Sequence, residues 1–461
     1  MGKEISTLKR RLKSIPPVRL IVGSFLVVIV IGTILLALPA AARDGRPTPF
    51  VDALFTSTSA VCVTGLVLYD TWSHWNEFGQ VVILCLIQIG GLGLVTFTTG
   101  FSLLVRRKLG FRTIRLATEN TSGSVIHITR LIRMILAFTF FCEIIGAGLL
   151  MLRLVPKFGN YGIWVSFFTA VSAFCNAGFD IMGCAAPGSS LTAYAGDPLV
   201  CLTVGALVVI GGLGFVVISD FFTAKLQPRL HGKASSALNF HSKIVLRTTA
   251  VLLILGTVLF FILEFDNTLG GMNFGEQLNA AFFQSVSART AGFNTIPIGR
   301  EKDFTKLITI ILMFIGASPA STGGGVKTTT IVVLLAAVAS VIHNDDDAIL
   351  LKHRLDRSTV YRALSIVFLA VLTIFVTTGI ITGTNSSTDT INALFEATSA
   401  FGTVGLSTGV TPTLTETAKA AVICTMFIGR VGPVSLSLAF TLRKGRSSNS
   451  SVLPEGRIVV G

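Results

Sequence analysis

The sequence predicts an all-α polytopic membrane protein: four pseudo-symmetric repeats, each a span, a short pore helix and a second span, giving eight transmembrane spans around one central pore. Three observations carry that expectation. The 461 residues are 51% hydrophobic and only 13% charged, with a mean hydropathy of +0.76, which excludes an ordinary soluble domain. Apolar runs long enough to cross a hydrocarbon core of about 30 Å recur from end to end. A short glycine-containing segment also returns four times at a nearly constant interval.

The clearest apolar runs are Leu20 to Leu38, Met134 to Leu152, Pro198 to Phe222, Ile244 to Phe265, Leu307 to Ile342 and Ala363 to Ile381. The first extends well past the apolar core of a secretory signal and further spans follow it, so it is expected to be retained. A formal charge of +14 raises the question of nucleic acid, but the basic residues lie neither on one amphipathic face nor among interleaved aromatics, so no nucleic-acid partner is expected. They fall instead in every second loop: Lys3 to Arg19, Arg106 to Arg115, Lys225 to Arg247, Lys352 to Arg357, and Arg443 to Arg446. The positive-inside rule makes these loops, and both termini, cytoplasmic in a cell-membrane protein. Arg300, Lys302 and Lys306 fall on the outer side, diluted by Glu301 and Asp303. Seven scattered cysteines support neither a disulfide framework nor a metal site.

The repeating segments run from Ser59 to Gly65-Leu66, Ser172 to Gly178-Phe179, Ser287 to Gly292-Phe293 and Ser399 to Gly405-Leu406. Their glycines are spaced 113, 114 and 113 residues apart. An Ile-Gly pair follows in each register, at Ile89-Gly90, Ile210-Gly211, Ile315-Gly316 and Ile428-Gly429. The expected units are residues 1–112, 113–232, 233–345 with an intramembrane gating loop, and 346–461 with a cytoplasmic tail. The stretches before the glycines, such as Thr48 to Ala60 and Thr390 to Ala400, are too short to span and read as re-entrant helices. Non-helical backbone at membrane depth persists only where protein buries it or water reaches it, so four such turns should line one cavity.

A permeating cation needs oxygens in place of its hydration shell, and backbone carbonyls supply them when the chain takes alternating unusual dihedrals, which glycine makes accessible. The candidate filter residues are Cys62, Val63, Thr64 and Gly65; Cys175, Asn176, Ala177 and Gly178; Thr290, Ala291 and Gly292; and Thr403, Val404 and Gly405. None is charged, so a ring of carboxylates suited to a divalent ion is missing and a monovalent cation fits better. Re-entrant helices aiming their C-terminal ends at the cavity would favour cations further. The thiols of Cys62 and Cys175 are expected to pack behind the filter. The third segment places its Ser-Ala pair one residue nearer its glycine, which leaves the register of Arg289 open.

The third unit's second span is interrupted by Gly316, Ala317, Ser318, Pro319, Ala320, Ser321, Thr322, Gly323, Gly324 and Gly325, too rich in glycine, proline and small residues for a continuous helix. Arg430 follows the fourth Ile-Gly pair. A cation at that depth is a functional candidate by default, and the expectation is that it bonds loop carbonyls or faces the pore and so holds a closed state. Lys327 is expected to reach the cytoplasmic interface. The glycine run lacks the Gly-Lys-Thr of a phosphate loop.

Gly90, Gly93, Gly211 and Gly214 read as helix-contact glycines rather than ion ligands. Glu143, inside a span, reads as a structural bond with proton coupling as the alternative. Glu396 reads as support for its helix, and the tract from Asn344 to Asp347 as a solvated linker.

The four segments, the Ile-Gly pairs and the stretch Gly316-Ala-Ser-Pro-Ala-Ser-Thr-Gly-Gly-Gly-Val-Lys-Thr328 together resemble the Trk/Ktr/HKT superfamily of potassium transporters, over nearly the whole chain. Beginning on the first repeat and ending Pro454 to Gly461, the sequence is most similar to the KtrB-type branch. The resemblance implies that Gly65, Gly178, Gly292 and Gly405 lie in a selectivity filter, that the loop after Gly316 obstructs conduction until it moves, and that the protein is no enzyme. In the family, sodium-preferring members carry serine in place of the first glycine, so Gly65 implies potassium. It further implies K+ as permeant ion with Na+ as a candidate activator, no covalent cofactor, a homodimer, and a KtrA-like cytoplasmic ring of nucleotide-binding subunits. A strictly coupled secondary transporter with alternating access stands as the alternative, although units that each cross an even number of times repeat in parallel and suit an axial pore better. An intramembrane enzyme finds no His-Glu-x-x-His, paired membrane aspartates or credible Ser/His set.

Overall fold

The computed structural model describes residues 17–106, 125–185, 188–226, 236–345 and 347–433. The basic residues before Arg19, those at 107–115, 229 and 233, and the tail from 434 onward lie outside the described residues, as do the expected unit boundaries at 112, 232 and 346.

The chain is helical in the expected order. Helix α1 (Pro17–Ala37) leads to a short α2 (Phe50–Cys62) and then α3 (Glu77–Arg106). The same sequence of elements returns as α4 (Val125–Phe158), α5 (Tyr161–Phe174) and α6 (Pro198–Leu213), the last followed by α7 (Phe215–Phe221). It returns again as α8 (Phe240–Glu264), α9 (Phe274–Ser287) and α10 (Asp303–Phe314), with α11 (Thr328–Ile342) beyond the loop. Helices α12 (Arg357–Thr384), α13 (Thr390–Gly402) and α14 (Glu416–Val431) complete the series.

Among the described residues three helices are long and apolar enough to cross a membrane by themselves, within α4, α8 and α12, and the bent pair α6–α7 would make a fourth. Their outward faces are bare and apolar, with Phe141, Ile144, Ile254, Ile262, Phe368 and Phe375 all more than half exposed. Large side chains on a contiguous exterior surface of this kind belong in lipid, not water. The short helices α2, α5, α9 and α13 form the interior, where Phe55, Phe168, Phe283 and Phe395 are fully buried beside polar residues such as Ser59, Ser172, Gln284 and Glu396.

Three details depart from expectation. The pore helices α2 and α13 continue two residues further than the sequence suggested, to Cys62 and Gly402. The run from Pro198 to Phe222 is not one continuous helix: it bends by 94° at Gly214, whose φ of +90° is readily open only to a residue without Cβ. There the carbonyl oxygen of Ala320 accepts from Phe215 N at 2.9 Å, so another segment of chain fills the break. Finally, the tract before Ala348 is more than a solvated linker. Asp347 pairs with Arg354 at 2.9 Å and Arg357 at 3.8 Å, closing a small antiparallel hairpin of β1 (Ile349–Leu350) and β2 (His353–Arg354).

Candidate functional site: a closed ring of four glycine turns

Each pore helix ends in the same backbone device. Val63, Asn176, Thr290 and Thr403 have φ of 57°, 59°, 71° and 50°, and Gly65, Gly178, Gly292 and Gly405, two residues on, have φ of 89°, 69°, 83° and 92°. A β-branched residue in the left-handed region is strained, and strain of this kind persists only where the surroundings over-determine it. Braces supply that determination. The Oγ of Ser59 accepts from Gly65 N, and the Oγ of Ser399 accepts from Gly405 N, each at 3.1 Å. Ser287 Oγ donates instead to Phe293 O, which is how the shortened third segment is accommodated. Its left-handed residue is still Thr290, so Arg289 stands three residues before the glycine, where Cys62, Cys175 and Gly402 stand in the other turns.

The four turns meet. A methyl group added to Gly178 would lie 2.7 Å from Ala291 O, and one on Gly292 would lie 2.5 Å from Val404 O; methyls on Gly65 and Gly405 would collide in the same way with Ala177 O and Thr64 O. The contacts run from the first turn to the second, third and fourth and back to the first, so the ring closes. All four glycines line one cavity of about 370 Å³. Asp70 and Asp180 also line it, each in the segment that follows a glycine turn and outside the spanning helices. Burial pushes Asp180 up to about 6, with nearby Asp70 adding to the rise against an opposing hydrogen bond from Met182 N.

Below the ring lies the interrupted stretch of the third unit. It is pinned to the broken α6 through Ser318 N to Gly212 O (3.0 Å) and Thr322 N to Gly211 O (3.3 Å). Asn176 joins the glycine turns to the loop: with its amide nitrogen donating to Thr322 Oγ1 (3.1 Å), Val208 O and Phe174 O, its oxygen accepts from Thr290 Oγ1 at 3.2 Å. Gly323 and Gly324 are small because the hydroxyls of Thr290 and Thr403 occupy the space a Cβ would need.

Two cations close on this loop. Arg430, 5% exposed, donates to Thr322 O and, at 2.5 Å, to Gly90 O on α3. Lys327, expected from the sequence at the cytoplasmic interface, is bonded to the loop itself. Its Nζ turns back onto Gly323 O (2.7 Å) and Gly324 O (3.3 Å), because the unwound chain leaves those carbonyls without backbone partners.

The Ile-Gly pairs prove to be packing sites. Added methyls at Gly90, Gly211 and Gly429 would run into the carbonyl oxygens of Val61, Phe174 and Phe401, each two residues before a left-handed residue. Gly316 breaks the pattern and faces Gly324 O inside the loop. Glu143 accepts from Gln88 Nε2 at 3.0 Å, and Gln88 Oε1 in turn receives the thiol of Cys175 at 3.4 Å. Glu396 accepts from Ser407 Oγ (2.6 Å), Thr408 N (3.0 Å) and Thr411 Oγ1 (2.6 Å), holding the segment beyond the fourth turn. Sequence reasoning missed Asp52, which joins Lys419 of α14 at 2.7 Å and Tyr69 Oη at 2.6 Å and so ties the first turn to the fourth unit. An acidic residue in the first turn of a pore helix was the available signal; its partner 367 residues away was not.

A helical bundle with an apolar exterior, whose interior is a closed ring of glycine turns beside a pinned loop, fits a membrane transport protein. The chain belongs to the family of TrkH cation transport proteins, whose model matches residues 9–450. It is 36% identical over 453 residues to the Ktr system potassium uptake protein B of Bacillus subtilis (strain 168), covering 97% of each chain. It is 38% identical over 465 residues to the potassium/sodium uptake protein NtpJ of Enterococcus hirae, covering 98% of this chain and 99% of that one. The fold is that of the crystal structure of the potassium transporter TrkH from Vibrio parahaemolyticus, with a TM-score of 0.70 at 19% identity over 91% of this chain and 85% of that one.

Proposed function

We propose that this chain is the potassium-selective, ion-conducting membrane subunit of a potassium uptake system, with its filter at the four glycine turns and its gate formed by residues 317–325 and Arg430. The observation that carries the reading is the cyclic packing of Gly65, Gly178, Gly292 and Gly405 around one cavity. Left-handed residues alternating with glycine turn successive carbonyls toward a common axis, and uncharged carbonyls select a monovalent ion. Four units, 1–112, 113–232, 233–345 and 346–461, contribute eight spans to one pore. The protein sits in the cell membrane with both termini cytoplasmic, K+ as permeant ion and no covalent cofactor. It acts as a homodimer on a cytoplasmic nucleotide-binding ring, for which the basic inner loops are the docking surface. Na+ is a candidate activator, a relative being named for potassium and sodium uptake, and strict coupling to Na+ or H+ with alternating access is the second reading.

The test is rubidium uptake and potassium-limited growth in a host stripped of its own potassium systems, with a cytoplasmic partner supplied and sodium varied. Wild type should restore uptake, and Gly65→Ser should weaken the preference for potassium over sodium. Uptake with unaltered selectivity in the variant would place the filter elsewhere, and uptake strictly proportional to sodium would favour the coupled reading.

A further inference from the structure

Arg289 is the one charged side chain among the residues three positions before the four glycines; its counterparts are Cys62, Cys175 and Gly402. It is 7% exposed, makes no hydrogen bond or ion pair among the described residues, and its Nε is buried without a partner. Arg289 lines a small cavity of about 10 Å³ with Val208, Gly212, Thr249, Leu253 and Ala317, none of which carries a negative charge. On one side of it is the third filter turn; on the other are the roots of the gating loop at Ala317 and of the α6 bend at Gly212.

An unpaired charge in a low-dielectric interior is costly, and an arginine does not escape the cost by losing its proton. Retained there, its field acts on whatever mobile charge comes nearest. Taking the glycine ring as the ion path, which is the reading above, that mobile charge is the permeant cation. We propose that Arg289 is a fixed like charge that lowers cation occupancy of the filter from one quadrant, setting apparent affinity and favouring release. At a separation on the order of 10 Å and an effective dielectric of about 20, its repulsion corresponds to roughly a tenfold change in occupancy for a monovalent ion and, because the energy scales with valence, roughly a hundredfold for a divalent one.

That difference in valence separates an electrostatic role from a packing role. The experiment uses the full chain with Arg289→Met, Arg289→Gln and Arg289→Lys, measuring rubidium uptake affinity and its block by barium. Both neutral variants should bind rubidium roughly tenfold more tightly, and barium block should strengthen by about the square of that factor. Arg289→Lys should stay within about twofold of wild type. Because replacing an unpaired buried charge with an apolar side chain of similar length is expected to stabilise, Arg289→Met should accumulate at least as well as wild type. Failure of both neutral variants to fold, equal factors for rubidium and barium, or a lysine variant that behaves like methionine would each overturn the proposal. Wild-type flux and Gly65→Ser selectivity run in the same preparation; if those fail, the assignment of the ion path is wrong, whereas if they hold and Arg289 variants are unaltered, only this inference falls.

Discussion

Removing Arg430 should open the path, and the hydrogen bonds give the size of the effect. The guanidinium holds two carbonyls, Thr322 O on the loop and Gly90 O on α3. Only the first must break when the loop moves, since α3 is a continuous helix. A hydrogen bond from a charged donor contributes about 1.5–3 kcal/mol, and with a factor of ten for every 1.4 kcal/mol the closed-to-open ratio should fall by roughly ten- to a hundredfold in Arg430→Ala. Rubidium uptake should therefore rise until the filter limits it. The same substitution orphans the buried carbonyl of Thr322, at about 1–3 kcal/mol, while Gly90 O keeps its place in the helix, so the melting temperature in detergent should fall. Flux and stability thus move in opposite directions. A variant present in the membrane at wild-type level with unchanged flux would refute the gating role; reduced flux would mean that the arginine shapes the path and does not close it.

Two further outcomes follow from the same geometry. Gly429→Ala drives a methyl into backbone at Phe401 and should cost about 2 kcal/mol or more, while Gly379→Ala on α12, with nothing within 4 Å, should be neutral or stabilising by up to about 1 kcal/mol; equal thermal melts for the two would contradict the packing described. Asp180 is raised to about 6, so its charge is present at neutral pH and is lost as the outer solution falls through that value. Uptake should drop with external acidification around that midpoint, and Asp180→Asn should give a low, flat profile; a variant that keeps the wild-type pH curve would exclude Asp180 as the group responsible.

The four glycine turns were legible in sequence because their requirement is local: each glycine combines a positive φ with a neighbouring carbonyl where a Cβ would sit, so the same residue recurs at each of four sites. The loop from Gly316 to Gly325 was legible for a similar reason, its composition being incompatible with helix. Other features depend on partners that sequence does not bring together. Gly214 reads as a packing glycine, yet it bends a helix because Ala320 supplies a carbonyl to the break. Lys327 looked free to reach the interface until the unwound loop offered it two acceptors. The tie between Asp52 and Lys419 joins residues that are adjacent only once the ring has closed.

The closed circle of glycine-to-carbonyl contacts behaves as a hoop. Each turn bears on the next, and the last bears on the first, so a methyl inserted at any one joint cannot be absorbed where it is placed. The displacement is handed around the circumference and returns to its origin as a change of bore. Because all four joints belong to one polypeptide, a single codon alters one quarter of the hoop while the whole diameter responds. Taking the ring as the ion path proposed above, the chain can thus retune its aperture by small asymmetric steps, an option closed to a pore assembled from four identical copies, where every change arrives four at a time.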